Sequence, residues 1–182
     1  MIYIMTGLSG VGKTSVAKQL SKVTGIPISV RYTTRPMRPG EINGVDYNFV
    51  SNINDKDFIG VESYLVANGD TWKYASKRDE IKDNCIIVCN PKAVEKLKAD
   101  NVQFVDFEIT VNEQERLNRI LKRNDNQGEK EILRRDKADK AIFANYHPKF
   151  KISNDKSIDE TVNKIVSFFK TTCKQNSLSG NK

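Results

Sequence analysis

The sequence predicts an α/β fold: a parallel sheet between two layers of helix, interrupted by one small β-rich insertion. Three observations carry this. Short β-branched runs alternate with helical stretches along most of the chain. Ile2 to Met5 and the run within Cys85 to Cys89 are apolar, as strands covered on both faces require, while Val102 to Val111 partly alternates. And 182 residues with 38% hydrophobic and 29% charged side chains suit one well-buried domain rather than a disordered or fibrous chain.

The elements follow in order. Ile2-Tyr3-Ile4-Met5 reads as a short buried strand, followed by Gly-rich sequence and a helix from about Lys13 to Lys22. Ile28-Ser29-Val30 is expected as a second strand, Cys85 to Cys89 as a third, Val102 to Val111 as a fourth and Phe150 to Ile152 as a fifth. Pro91 to Ala99, Asn112 to Arg123 and Glu129 to Asn145 carry helix formers with few breakers. A last amphipathic helix is predicted from Ser157, its N-cap, to Lys170, with Ile158, Val162, Ile165, Val166 and Phe169 on its apolar side. Residues from about 32 to 80 break the rhythm, being rich in Tyr, Thr, Asn, Gly and Asp with short alternating pieces such as Asp46-Tyr47-Asn48-Phe49-Val50. Residues 171–182 are polar without apolar period and are expected to be a flexible tail.

Composition excludes several functions. No apolar run reaches the ~18 residues of a membrane span, and Met1 to Met5 is too short for a signal peptide, so a cytoplasmic protein without membrane association is expected. Three cysteines make no closed disulfide framework; Cys85 and Cys89 read as small apolar residues of a buried strand. The single histidine, His147, excludes a His-rich metal site and reads as a surface loop residue. A net charge of +7 points to an anionic partner without choosing among nucleic acid, nucleotides and acidic membranes.

The strongest motif is Gly7-Leu8-Ser9-Gly10-Val11-Gly12-Lys13-Thr14, a G-x-x-x-x-G-K-[ST] phosphate loop (Walker A) lying between a strand and a helix. The glycines let successive N–H groups turn inward at the positive end of the helix, Lys13 reaches the β- and γ-phosphates, and the Thr14 hydroxyl can ligate Mg²⁺. Ser9, Gly10, Val11, Gly12, Lys13, Thr14 and Ser15 are the expected ATP contacts, with Lys13 also catalytic and Thr14 the metal ligand. The fold is then a P-loop NTPase. No Asn-Lys-x-Asp base-reading segment of a GTPase occurs, and Ile86-Ile87-Val88-Cys89-Asn90 lacks the acid of an ATPase motor.

A second anion site is suggested by Arg35 and Arg38, which Pro36 and Pro39 hold out of helix on a stiff loop. The surrounding Thr33-Thr34-Arg35-Pro36-Met37-Arg38-Pro39-Gly40-Glu41, followed by Gly44-Val45-Asp46-Tyr47-Asn48-Phe49-Val50, closely resembles the GMP-binding segment of guanylate kinases. The resemblance runs from Met1 to about Asp155. It implies an insertion at 32–80 that binds the nucleoside monophosphate and a helical lid at 116–140, on a core of 1–31, 81–115 and 141–170. It also implies that Arg35, Arg38, Tyr47 and Tyr74 hold the acceptor phosphate, and that Glu62 and Ser76 contact the base. Arg119, Arg123 and Arg135 fall where the family carries its lid arginines, and Asn154 where its closing strand meets the adenine of ATP. A carboxylate at Glu62 can accept from the N1–H and N2–H₂ edge of guanine, which adenine does not offer.

The chain departs from the family pattern in its base-reading parts. Arg31 stands where a serine is usual, Val88-Cys89-Asn90 where a D-x-D pair is usual, and Ala75 where glycine is usual. The stretch from Glu62 to Tyr74 is longer than usual. The expected function is therefore ATP-dependent phosphoryl transfer to a nucleoside monophosphate, GMP or dGMP first, with Mg²⁺ as cofactor. Either a monomer or a homodimer fits. The rivals are a kinase for another (d)NMP, a catalytically inactive guanylate-kinase-like binding module, and a nucleic-acid binder or polynucleotide kinase. The intact phosphate loop and lid arginines argue against the module. The basic stretch from Arg116 to Lys140, nine Lys/Arg against five Asp/Glu, lacks the interleaved aromatics of an RNA-binding surface.

Overall fold

A computed structural model describes residues 1–65, 69–122 and 129–178. Its main sheet is parallel throughout and ordered β6-β1-β7-β8, from β1 (Ile2–Thr6), β6 (Cys85–Val88), β7 (Phe104–Thr110) and β8 (Phe150–Ser153). The predicted strand at Ile28 to Val30 is instead a single parallel bridge, Ile28 to Ile86, held by Ser29 N–H to Ile86 O (2.8 Å) and Ile86 N–H to Pro27 O (2.8 Å). Pro27 has no N–H to extend the ladder, and by Tyr32 the chain has joined the second sheet.

Period-2 alternation sends the strands' side chains to two cores. Met5, Ile86, Phe107 and Ile109 pack with α1 (Lys13–Thr24) and α5 (Ile158–Leu178) through Val16, Leu20, Val162 and Ile165. Ile2, Ile4, Cys85, Ile87 and Cys89 face the other way, onto Ala93, Val94 and Leu97 of α2 (Pro91–Ala99) and onto Tyr146. The three layers are those of an α/β fold. Burial pushes the Cys89 thiol up to about 12, in keeping with a packing residue, and His147 is exposed beyond the last turn of its helix.

The insertion forms a separate sheet, ordered β3-β2-β5-β4, from β2 (Tyr32–Thr33), β3 (Asn48–Phe49), β4 (Phe58–Leu65) and β5 (Thr71–Lys77). Two further helices, α3 (Glu113–Lys122) and α4 (Glu129–Phe143), lie between β7 and β8 in sequence. Ser157 caps α5, accepting from Glu160 N–H at 3.1 Å. That helix runs on to Leu178 rather than ending at Lys170, because Thr171 to Leu178 contains neither Gly nor Pro and the next breaker is Gly180.

One polar cluster crosses the α2-side core. Asp106 of β7 is buried; its Oδ2 accepts from the Tyr146 hydroxyl (2.7 Å), its Oδ1 from Lys149 N–H (2.9 Å), and the Thr6 hydroxyl reaches the Tyr146 oxygen (3.3 Å). Removing the phenol leaves a carboxylate oxygen under-satisfied away from water. Tyr146→Phe is expected to lower unfolding free energy by about 1–3 kcal/mol in urea titration, against near-zero if the bond adds nothing net.

Candidate active site

The phosphate loop is built by close approach. Gly12 caps α1 in the left-handed region (φ 93°), and a Cβ there would lie 2.7 Å from Asn154 Nδ2. At Gly10 (φ 85°) a Cβ would lie 2.8 Å from Arg116 O and 2.7 Å from Ile120 Cγ1. The loop is thus clasped between the end of β8 and the face of α3. The first turn of α1 carries no acidic residue, so its positive end faces the cleft uncompensated. Lys13 Nζ donates to Gly7 O (2.8 Å) and Leu8 O (2.9 Å), which lays it across the mouth of the loop.

A cavity of about 720 Å³ opens over this loop. Ser9, Gly10, Gly12, Lys13, Thr14 and Ser15 line one end; Arg35, Arg38, Tyr47, Glu62 and Tyr74 line the other. Two expected ATP contacts lie outside the wall. Val11 is buried, serving as the loop's inward plug. Asn154 is buried behind the loop, its Nδ2 donating to Val11 O (2.9 Å) and its Oδ1 accepting from the Thr161 hydroxyl (2.9 Å). An amide engaged at both ends holds the loop from behind, outside the cavity wall.

At the far end, Arg35 is only 3% exposed, gripped by Glu41 (Nη1–Oε2 3.0 Å, Nη2–Oε1 2.7 Å) and flanked by the Tyr47 and Phe49 rings, each 5.5 Å from its Cζ. Glu41 Oε2 also accepts from Arg38 N–H at 2.7 Å. Burial pushes the Glu41 carboxyl up, but the Arg35 and Arg38 bonds outweigh it and hold the group below its ordinary range. Glu41 thus orders the whole arginine loop; it stood in the motif without an assigned role. Tyr74 packs edge-on to Tyr47 (5.8 Å) and to Tyr64 (5.4 Å), making an aromatic wall.

The positions expected to contact the base are engaged within the protein. Glu62 sits opposite Tyr74 in the β4–β5 ladder and lines the cavity, but its Oε1 is taken by Arg31 Nη1 at 2.7 Å, and Arg31 Nη2 donates to Gly60 O at 3.1 Å. Both side chains are buried; burial pushes the Glu62 carboxyl up, and the Arg31 charge and hydrogen bond pull it back. Ser76 is not in the cavity wall: it pairs with Ile59 beyond a bulge in β4 and is buried. Asn90, at the lost D-x-D position, caps α2 by accepting from Ala93 N–H (3.0 Å) and donates to the Tyr64 hydroxyl.

Of the lid arginines, Arg119 pairs with Glu115 (2.8 Å) and reaches within 3.8 Å of the place a Gly12 Cβ would occupy. Arg123 lies outside the described residues, as does the side chain of Arg135, whose backbone belongs to α4. Arg134 and Asp139 of α4 line the cavity; the twin Arg134-Arg135 was the only sequence signal for the former. The residue that sequence reasoning missed outright is Arg116. It is 1% exposed and joins three elements, donating to Ser9 O (3.1 Å), Asp136 (2.6 Å) and Glu113 (2.8 and 2.9 Å). Bonds from Arg116 and Lys140 bring the Glu113 carboxyl down to about 2.

This is the geometry on which comparison with known proteins bears. A family model described as "Guanylate kinase" matches residues 1–172. The chain belongs to the guanylate kinase family. Curated guanylate kinases from Legionella pneumophila (strain Lens) and Chromohalobacter salexigens are 49% identical over 65 residues and 41% identical over 75 residues. These matches take in 32% and 41% of this chain, and 31% and 32% of those proteins, so the chain spans about a third of each relative's length. The guanylate kinase of Anaplasma phagocytophilum has the same fold, with a TM-score of 0.67 at 22% identity over 94% of this chain and 85% of that one.

Arg116 ties the phosphate loop to both α3 and α4. Arg116→Met is expected to cost toward the low end of about 3–5 kcal/mol, because Lys140 stays 3.1 Å from Asp136, and to weaken ATP binding as Ser9 loses its anchor. Thermal unfolding and ATP titration check both; a stable variant with unchanged ATP affinity would refute the tie.

Proposed function

We propose that the chain is an ATP-dependent kinase that phosphorylates GMP or dGMP: ATP + (d)GMP → ADP + (d)GDP. A phosphate oxygen of the acceptor attacks the γ-phosphorus in line while the bond from γ-phosphorus to the β–γ bridging oxygen breaks. The observation that carries this is the single cavity with Lys13 and the phosphate loop at one end and Arg35 and Arg38 at the other. Family membership and the names of the curated relatives support it.

The acceptor phosphate is already anionic, so alignment and charge do most of the work. Lys13 swings from its carbonyl partners to the β- and γ-phosphates, and the N–H groups of the loop hold the donor. Arg38, half-buried in the wall, takes the acceptor phosphate, with Arg35 beside it fixing the depth of the pocket. Arg119 stands over the loop and exchanges its exposed Glu115 pair for the transferring phosphoryl group, with Arg123 and Arg135 assigned to the same task. Thr14 offers an exposed hydroxyl in the first turn of α1, and among the described residues no cluster of three or more His, Cys, Asp or Glu competes for a metal. This donor set fits Mg²⁺, a hard cation that keeps several waters and binds through few protein oxygens plus phosphates. Bound with ATP, Mg²⁺ would neutralise charge on the β- and γ-oxygens.

We read residues 32–80 as the acceptor-binding arm and 116–140 as the lid. Among the described residues no helix is long and apolar enough to cross a membrane, and we place the reaction in the cytoplasm.

ADP release on mixing ATP, Mg²⁺ and GMP tests the reading directly. Lys13→Ala is expected to lose turnover by about 10³-fold or more while GMP affinity stays within a few-fold, because Lys13 stabilises transferring charge rather than the acceptor. Equal loss of both would place Lys13 in the fold instead. Arg38→Ala is expected to raise the Kd for GMP about tenfold or more with ATP affinity unchanged, by calorimetry; unchanged GMP affinity would remove Arg38 from the acceptor site.

A further inference from the structure

The acceptor end of the cavity contains a unit that the rest of the reaction does not use. Arg31 and Glu62 are each 5% exposed, both line the cavity, and they are locked together at 2.7 Å. Gly60 O fixes a second corner of the guanidinium at 3.1 Å. After those bonds Arg31 keeps N–H groups to donate and Glu62 an oxygen to accept; Arg31 Nε and Glu62 Oε2 are buried without a hydrogen-bond partner. Unsatisfied buried polar atoms are costly, and a pair of them on one rigid unit facing a ligand cavity asks for a ligand edge with one acceptor and one donor.

A free carboxylate would fork onto guanine, one oxygen on N1–H and the other on the 2-amino group. Here Arg31 has taken one of the two oxygens. The nearby Asn90 is held as the cap of α2, its Oδ1 accepting from Ala93 N–H and its Nδ2 donating to the Tyr64 hydroxyl. With Glu62 Oε2 on the ring N–H, Arg31 supplies a donor for the adjacent carbonyl, the pairing by which arginine reads guanine O6 elsewhere. We propose that Arg31 is a specificity-determining residue, and that Arg31 and Glu62 together read the lactam edge of the base, its carbonyl and neighbouring ring N–H, while the 2-amino group goes unread. A 6-oxopurine without that group, hypoxanthine, therefore suits the pocket as well as guanine. Adenine presents an acceptor to Glu62 and a donor to Arg31, and is refused. The inference rests on the proposed acceptor site and deepens it.

The experiment compares GMP, IMP and AMP on the unmodified protein, by kcat/KM with ATP and Mg²⁺ and by calorimetric Kd. IMP is expected within about tenfold of GMP, and AMP about 10³-fold or more below both. Arg31→Ser frees the second Glu62 oxygen for the 2-amino group, so the preference for GMP over IMP should rise about tenfold or more. If that variant does not fold, Arg31→Lys keeps a cation beside Glu62 but loses the fixed fork, and should weaken GMP and IMP alike by about tenfold. IMP more than about tenfold poorer than GMP on the unmodified protein would overturn the proposal, marking the 2-amino group as read. So would a GMP-to-IMP ratio unmoved in Arg31→Ser, or AMP accepted like GMP. Turnover of GMP with rejection of IMP sinks this inference alone; equal binding of GMP and IMP without any turnover sinks the kinase reading alone.

Discussion

A loop that offers its backbone N–H groups to an anion cannot also spend them on holding its own shape. Every other part of this cleft depends on how that constraint is met: the loop is clasped from outside. Asn154 takes Val11 O from behind, Arg116 takes Ser9 O from the side, and the space beside Gly10 and Gly12 is too narrow for a Cβ. The same two side chains reach into α5, through Thr161, and into α3 and α4, through Glu113 and Asp136. The phosphate loop is therefore the point at which the parallel sheet, α5 and the α3–α4 pair meet.

The arginines of the cleft divide by what surrounds them. Arg31, Arg35 and Arg116 are buried, and each is locked to a carboxylate at 2.6–2.7 Å: Glu62, Glu41 and Asp136. Taking such ions from water is repaid only by near-complete pairing, and the return is position more than stability. Arg38 and Arg119 are half-buried or on the helix surface, where a pairing such as Arg119 with Glu115 is worth little and is readily exchanged for phosphate. A chain of net charge +7 thus keeps its cleft from being a diffuse positive patch, fixing Arg31, Arg35 and Arg116 against carboxylates while Arg38 and Arg119 lie nearer the surface.

The legible parts of the sequence were those whose signal is local. The Gly7–Thr14 motif, the α2 boundaries Pro91–Ala99 and the β-rich character of 32–80 all follow from spacing, capping and turn residues. What was illegible depended on partners far away in the chain. Arg116 looked like one charge among nine on a solvated face, and only the approach of Ser9, 107 positions earlier, makes it a buried junction. Asn154 donates to Val11 O, 143 positions earlier, a contact set by the packing of β8 against the loop. The strand at Ile28 shrank to one bridge because Pro27 precedes it and the second sheet claims Tyr32.

The same reasoning explains why the departures from the family pattern cluster at the base end. Phosphate recognition uses backbone N–H groups and paired arginines held by several elements at once, so a single substitution there disturbs the clasp as well as the ligand. The Glu62 end of the cavity consists of side chains from the edge strand β4 and from the residue before β2, with Asn90, the N-cap of α2. Arg31 could replace a small polar residue because Glu62 lay within reach to neutralise it and Gly60 O to satisfy a second donor. Asn90 could replace an acid because α2 needed a cap and Tyr64 offered a partner. Each change found local compensation, and together they alter the hydrogen-bonding groups on one part of the cavity wall while leaving the phosphate loop, the Arg35–Arg38 loop and their common cavity intact.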